Sequence, residues 1–448
     1  MLEPLLAGTH ISLEKHSKAR NKGVATAPRA TGTALLVVPA LSTALLQAAK
    51  GRRCDNCHRL ELGNVRLRKC TGCASYWYCG RECQSLQWKA HHKRICKQYP
   101  RYTASAEYQG LSSHDQVDAV LLSHLLAEAF PDGLYTLAAG KGGLLDIFLD
   151  LLSGPATHPS SLPVSLGQQV TDPTLVTAAR ELYARFGNNN FVVHSHLDSY
   201  AHGVFPLASR LFNHSCVPNA VTRYIITPSE AVRMEVIALR DIAEGEEVTI
   251  PYLDPALPVE TRQQALRLNY GFTCTCLSCR VAQRMQPTPP PHRGSTELDE
   301  LEDQLRRYVL DIVGTVVGLR DDPGLLESMP ESLAPVLYES YLPELSETFS
   351  KASHDGPHAE ALSIGLTLLA LYALVYPPNY PQIGMHALEL AKTAWNATVT
   401  DSELMAPSAL EEAAKAYLSI AAHVLNIYGG EGDEGGPLAE ISVLRRML

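Results

Sequence analysis

Eleven cysteines fall at spacings that suit metal ligands. Seven lie close together as Cys54-x2-Cys57, Cys70-x2-Cys73, Cys79-x3-Cys83 and Cys96, with His91 and His92 just ahead of the last. The other four are Cys216 and the tight set Cys274, Cys276 and Cys279. Thiolates two residues apart sit at the tip of a tight knuckle, and a second pair closes a tetrahedron around zinc. Eleven cysteines and one histidine make twelve ligands, which is three closed zinc sites. The stretch from Cys54 to Cys96 has few aliphatic side chains, so metal must supply its folding free energy, on the order of 10 to 16 kcal/mol per structural zinc. Thiols kept as ligands point to a reducing, intracellular setting.

Two further strings carry polar side chains at fixed places. One is N-H-S-C-V-P-N over 213–219, and the other is G-E-E-V-T-I-P-Y over 245–252, ending in Tyr252. A lone tyrosine at the end of a buried strand is usually a packing residue. Tyr252 stands between an acidic turn and a cysteine set, which is a different context.

The elements that hold these groups follow from apolar spacing. Thr33 to Pro39 is β-prone, and a turn is expected near Lys22 and Gly23. Val117, Val120, Leu121 and Leu125, then Leu144, Ile147, Phe148 and Leu151, recur at the spacing of one helix face, and another helix is expected from Pro173 to Phe186 after a Pro- and Ser-rich loop over 154–173. From Asn190 to Tyr252 short β-branched runs alternate with turn signals, which predicts a compact β region. Residues 286–294 (QPTPPPHRG) form a linker. Everything beyond reads as helical, with amphipathic candidates over 362–375 and 385–395, and 429–436 (GGEGDEGG) as a flexible acidic loop before a last helix.

The length of 448 residues calls for two to three domains, and no run reaches the roughly 20 apolar residues of a membrane span. The formal net charge of -9 conceals an asymmetry. Residues 50–101 hold thirteen Lys and Arg against three Asp and Glu, while 295–448 hold eight against twenty-four. The acidic half suits a basic, lysine-rich partner; the basic block reads mainly as the solvated face of a small zinc module, and nucleic acid as an unfavoured partner.

The first cysteine block, with Tyr78-Cys79, Gln84 and Trp88, resembles the MYND zinc finger. That resemblance implies interleaved sites, pairing Cys54, Cys57, Cys79 and Cys83 on one zinc and Cys70, Cys73, a histidine and Cys96 on the other. One extra residue lies between Trp88 and Cys96: His92 keeps the i, i+4 spacing to Cys96 that shares a helix face, and His91 keeps the family spacing from Cys83. His92 is preferred. The N-H-S-C-x-P-N and G-E-E-x-T-I-x-Y strings and the trailing C-x-C-x2-C resemble the SET domain of protein lysine methyltransferases. Together the chain is similar to the SET and MYND (SMYD) family, well over residues 15–280 and loosely beyond.

The resemblance implies an α+β fold: a β-rich SET domain with an inserted MYND finger and helical insert, a post-SET zinc segment, and an all-α TPR-like carboxy-terminal domain. The expected boundaries are 1–50 for the first SET part, 51–98 for the finger, 99–187 for the insert, 188–255 for the core, 256–285 for the post-SET segment, 286–294 for the linker and 295–448 for the helices. It further implies methyl transfer from S-adenosylmethionine to lysine of a histone or other protein. Tyr252 would face the reacting amine, Tyr270 and Phe191 would line a lysine channel, and Phe272 would pack on adenine. Arg20, Lys22, Gly23, Asn189, Phe212, Asn213 and His214 would hold the cofactor, with Asn21 replacing a family glycine in the turn. Cys216 with Cys274, Cys276 and Cys279 would bind the third zinc. Proline-rich peptides are implied as finger ligands, cytoplasm and nucleus as location, and a monomer without membrane contact as the form. The alternative is a scaffold or transcriptional regulator of the same build whose SET core has lost activity.

Overall fold

The computed structural model describes residues 3–17, 19–130, 143–154, 173–314, 316–320, 322, 324–400, 406–431, 433 and 435–448. Most of the expected loop over 154–173 lies outside these.

The β region is a set of small sheets. Strand Arg233–Ala238 is central in one, flanked by Ala220–Ile225 and Ala34–Pro39, and Asp198–Val204 is central in another, between Ser42–Leu45 and Asn190–Ser195. These strands are β-branched and aromatic, and the inward residues Leu36, Val38, Val193, Tyr224, Met234 and Val236 are buried in one cluster. Two-residue strands Asn213–His214 and Thr249–Ile250 pair in parallel, which sets the two polar strings side by side.

The amino-terminal turn is displaced from its expected place. Lys22 and Gly23 lie in a strand, Asn21–Ala25, paired antiparallel with Ile11–Lys15 in the register Leu13 to Gly23. Asn21 therefore needs no left-handed backbone, and Gly23 serves another purpose: a Cβ there would lie 2.9 Å from the Leu211 carbonyl oxygen. Glycine lets the strand approach the segment leading into the N-H-S-C string.

The finger inserts between the first SET strands and the helical segment. Its hairpin Arg68–Lys69 and Trp77–Tyr78 precedes a helix, Arg81–Gln87, which widens into a π turn over Trp88–His92 before Lys93–Ile95. A π turn absorbs one extra residue in a helix, which is what the spacing from Trp88 to Cys96 demanded. The helix Ser113–Ala129 begins where the Ser112 hydroxyl accepts from the Asp115 backbone N–H, and it packs on Ser42–Leu45 and on the π turn. Pro173–Phe186 is helical.

Beyond the linker, helices Thr296–Val309, Tyr341–Asp355, His358–Val375, Pro381–Thr400, Pro407–Tyr428 and Pro437–Met447 share one large apolar cluster that also takes in Val221, Ile237 and Leu239 of the β region. Three expectations change here. A hairpin, Leu310–Val313 with Val316–Leu319, interrupts the helices; its runs of Ile and Val are strand formers. His358–Val375 is apolar around much of its circumference rather than amphipathic, because it is a central helix packed by its neighbours. It is long and apolar enough to cross a membrane by composition, but half of it is buried inside the protein. Finally, the acidic segment after Tyr428 is docked on the β region: Glu431 is 4% exposed.

Candidate active site

Three ligand clusters assemble, each with four donor atoms mutually within 4.8 Å: Cys54, Cys57, Cys79 and Cys83; Cys70, Cys73, His92 and Cys96; and Cys216, Cys274, Cys276 and Cys279. The spacing of the sulfurs is informative. Cys57 and Cys83 each lie 3.5 Å from Cys79, and Cys70–Cys96 and Cys216–Cys279 are 3.7 Å apart. A disulfide needs about 2.05 Å. Four thiolates at about 2.3 Å from a central zinc stand about 3.8 Å from each other, so the donor sets fit zinc.

His92 Nε2 sits 3.3 Å from Cys70 Sγ and 3.7 Å from Cys73 Sγ. His91 points elsewhere, with Nδ1 2.9 Å from a Glu128 carboxylate oxygen and its ring stacked on His124 at 3.9 Å. The π turn rotates the two histidines so that one joins the cluster and its neighbour joins the finger to the helical insert.

The third cluster touches the tyrosine at the end of the second string. The Tyr252 backbone N–H donates to His214 Nδ1 at 3.0 Å. That nitrogen is thus the acceptor, and the proton of the neutral ring belongs on Nε2, which lies 3.3 Å from Cys216 Sγ. His214 therefore bridges a ligand sulfur and the Tyr252 main chain. The Tyr252 hydroxyl donates to the Phe212 carbonyl at 2.7 Å, fixing its direction.

Around Tyr252 the rings form a wall: Tyr270 at 4.9 Å and His214 at 5.3 Å between centroids, with Phe272 6.1 Å from His214 and 6.3 Å from Tyr270. Tyr270 ends a second π turn, Leu266–Tyr270, and Gly271 follows in the left-handed region, which swings the chain back toward Cys274. Beside these rings opens a cleft of about 260 Å³, lined by Asn189, Phe191, Tyr224, Tyr252, Tyr270 and Tyr380. Phe191 is held edge-on to Phe205 at 5.8 Å. Burial pushes the Tyr252 phenol well above the ordinary tyrosine range and that of Tyr270 up to about 12, so both are neutral hydroxyls at physiological pH.

The remaining predicted residues make the following contacts. Asn213 Nδ2 donates to the Asn21 carbonyl at 2.9 Å and to Glu247 at 2.7 Å, tying the first string to the amino-terminal strand. Phe272 is 36% exposed, an aromatic face open to a planar ligand. Arg20 and Lys22 have protein partners: Arg20 donates to the Asp150 carbonyl and carboxylate, and Lys22 lies 3.2 Å from Glu14. The Asn189 amide donates to the Arg185 carbonyl, so its side chain faces the preceding helix. Sequence reasoning missed Asp254 and Tyr380, which line both this cleft and an adjoining one of about 360 Å³ between the β region and the carboxy-terminal helices. Asp254 was within reach, two residues past Tyr252; Tyr380 arrives from the Y-P-P-N-Y-P connection over 376–381 and carried no local signal.

The family description SET domain matches residues 57–253. The chain is 24% identical over 404 residues to human histone-lysine N-methyltransferase SMYD3, spanning 85% of this chain and 88% of that protein. It is 29% identical over 285 residues to human N-lysine methyltransferase SMYD2, covering 60% of each. Over 234 residues it is 28% identical to Arabidopsis thaliana histone-lysine N-methyltransferase ASHR1, or 51% of this chain and 46% of that one. Among solved structures, the SET domain of LSMT bound to lysine and AdoHcy aligns over 95% of this chain and 89% of that one at 13% identity, with a TM-score of 0.27, too loose to carry an argument. With three zinc-type clusters, the paired polar strings and the tyrosine-walled cleft in one chain, the protein matches the SET domain over residues 57–253 and is similar over most of its length to SMYD lysine methyltransferases.

Proposed function

We propose that the protein is a lysine N-methyltransferase that uses S-adenosylmethionine and acts on a protein substrate. The observation that carries this reading is the neutral Tyr252 hydroxyl, fixed on the Phe212 carbonyl, at the wall of an aromatic cleft of about 260 Å³. S-adenosylmethionine supplies an electrophilic methyl group when bound. Residues Asn213, His214 and Phe272 would hold it, with Gly23 keeping the amino-terminal strand close to Leu211; Arg20 and Lys22 would first have to leave Asp150 and Glu14.

The chain's own part is to bind, orient and exclude water. An exposed lysine has a pKa of about 10.4 and is charged at neutral pH, whereas attack needs the free amine. A desolvated channel of Phe191, Tyr252 and Tyr270 disfavours the ammonium form and holds the nitrogen in line. The tyrosines offer hydroxyls and aromatic faces; being neutral phenols, they are not bases. Asp254 and the net negative carboxy-terminal half favour a basic peptide approaching the adjoining groove. A separate cleft on the finger, lined by Gly72, Arg81, Gln84 and the 42% exposed Trp88, suits a proline-rich segment docking on an aromatic surface.

The test is transfer of labelled methyl from S-adenosylmethionine to histones and lysate proteins. Label on lysine, falling about 100-fold or more in Tyr252→Phe, is the expected result. An absence of both label and cofactor binding would favour the scaffold alternative. The replaced glycine at Asn21 is the sequence feature that favours that alternative, and Asn21 lies in an ordinary extended strand that needs no glycine there.

A further inference from the structure

The turn between strands Asn190–Ser195 and Asp198–Val204 is made by His196 and Leu197, with φ of 52° and 69°. Two consecutive left-handed residues suit a tight hairpin, but glycine or asparagine normally supplies them, because a Cβ is strained there. This hairpin matters to the site. Its first strand carries Phe191 and His194, which line the cleft beside Tyr252.

The strained turn is gripped from a segment 235 residues away. The Glu431 carboxylate accepts the His196 backbone N–H and lies 3.2 Å from the same residue's Nδ1, while the Ile226 N–H donates to the Glu431 carbonyl at 3.2 Å. Asp433 takes Arg53 through two bonds, 3.1 and 2.7 Å. The Arg53 guanidinium is stacked on the ring of Tyr200, in the second strand of the hairpin, at 4.0 Å, and donates to the His58 carbonyl of the first zinc knuckle. Arg223, on the adjacent sheet, donates to the Tyr428 carbonyl. Gly436 completes the fit, since a Cβ there would fall 2.3 Å from His196 Nε2. Both carboxylates are nearly enclosed, with side chains 4% and 7% exposed.

We propose that Glu431 is a positioning residue for the methyl-transfer site, holding the strained His196-Leu197 turn so that Phe191 and His194 keep the cleft wall in register, with Asp433 and Arg53 as its anchor. A surface ion pair would not justify this, but a buried carboxylate satisfying an otherwise strained backbone does. Its consequence for catalysis rests on the function proposed above; its hold on the hairpin does not.

The experiment compares full-length Glu431→Ala, Glu431→Gln and Asp433→Asn with the parent by hydrogen exchange and by methyl-transfer kinetics. In Glu431→Ala, exchange of the hairpin amides over 191–200 should rise about tenfold or more, as local opening becomes easier. The kcat/KM for protein substrate should fall about tenfold while calorimetric affinity for S-adenosylmethionine changes less than about twofold. Glu431→Gln keeps an acceptor for the His196 N–H and should restore most of the loss. Should Glu431→Ala fail to fold, Asp433→Asn carries the test, with a smaller rise in the same amides. Unchanged hairpin exchange in every variant, or an equal loss in Gln and Ala, overturns the proposal. A rise in exchange with no methyl transfer even in the parent would sustain the hold of Glu431 on the hairpin and sink both the enzymatic reading and the positioning role that rests on it.

Discussion

Two of the ligand clusters lie in the finger and one lies behind the tyrosine channel, and what stands beside each differs. His92 of the finger is packed among Tyr76, Tyr78 and Trp88, with centroids at 4.3 to 6.2 Å. No ligand of either finger cluster lines the Tyr252 cleft. The third cluster meets His214 at Cys216, and His214 in turn accepts from the Tyr252 backbone. The donor chemistry is alike, but in one region the metal would replace a missing core and in the other it would set the wall of a reactive channel. Ligand type alone does not separate a structural from a functionally coupled metal; the groups hydrogen-bonded to the ligands do.

The largest effect that could break this contrast is loss of a third-cluster ligand. Cys276 is only half-buried, so Cys276→Ser should leave most packing in place, yet methyl transfer should fall about 100-fold or more as the post-SET segment and Tyr270 lose their anchor. Far-ultraviolet circular dichroism should change little. A variant that retains full activity after losing one zinc equivalent would end the claim that this metal is coupled to the site.

His214 sharpens the same point at smaller scale. His214→Ala removes both the acceptor for Tyr252 and the donor to Cys216, and a cost of about 10- to 100-fold in activity or in zinc affinity is expected. Glutamine can offer one acceptor and one donor, so His214→Gln should recover part of both. If Ala and Gln behave alike, the bridge has no role beyond packing.

In the finger, Cys83→Ser should expose the basic block to trypsin, because metal is the main source of its stability. Activity on a short peptide should fall by no more than about tenfold, since no finger side chain lines the channel and transition-state contacts are retained. Measuring both on one preparation separates folding from chemistry.

How much of this was open to sequence reasoning depends on the distance over which each contact is made. The ligand residues were legible in their spacing and their grouping in the resemblance to known fingers, whereas the parallel pairing of the two polar strings emerges only in the fold. The extra residue before Cys96 was visible and the i, i+4 spacing favoured His92, but the π turn that accommodates it was not foreseen. Gly23 was noticed for the wrong reason: a turn was expected, and the close approach of Leu211 is invisible without the fold. Tyr380 and Glu431 could not be found that way. They reach the site through packing of the helices, and GGEGDEGG has the composition of a solvated loop; only a buried arginine 380 residues from Asp433 shows otherwise.

The mildest expected effect falls in the helical domain, which has no metal cluster among its described residues and is held by packing. His386 is buried there, edge-on to Phe349 and Tyr372, and its Nε2–H donates to the Gly365 carbonyl at 2.7 Å. Burial pushes its pKa down to about 4 from an ordinary value of 6.5. As pH falls below 6.5 the unfolded chain takes up a proton that the native imidazole refuses until about pH 4, so stability is full above 6.5 and is lost on acidification through that window. At pH 5 the loss from this residue is about 2 kcal/mol. His386→Gln, which keeps an N–H for Gly365, should flatten the pH dependence of thermal unfolding between 7 and 5, while added chelator leaves that difference untouched. If chelator abolishes it, the helical domain is not independent of the metal clusters, and the contrast between regions held by packing and regions held by ligands fails.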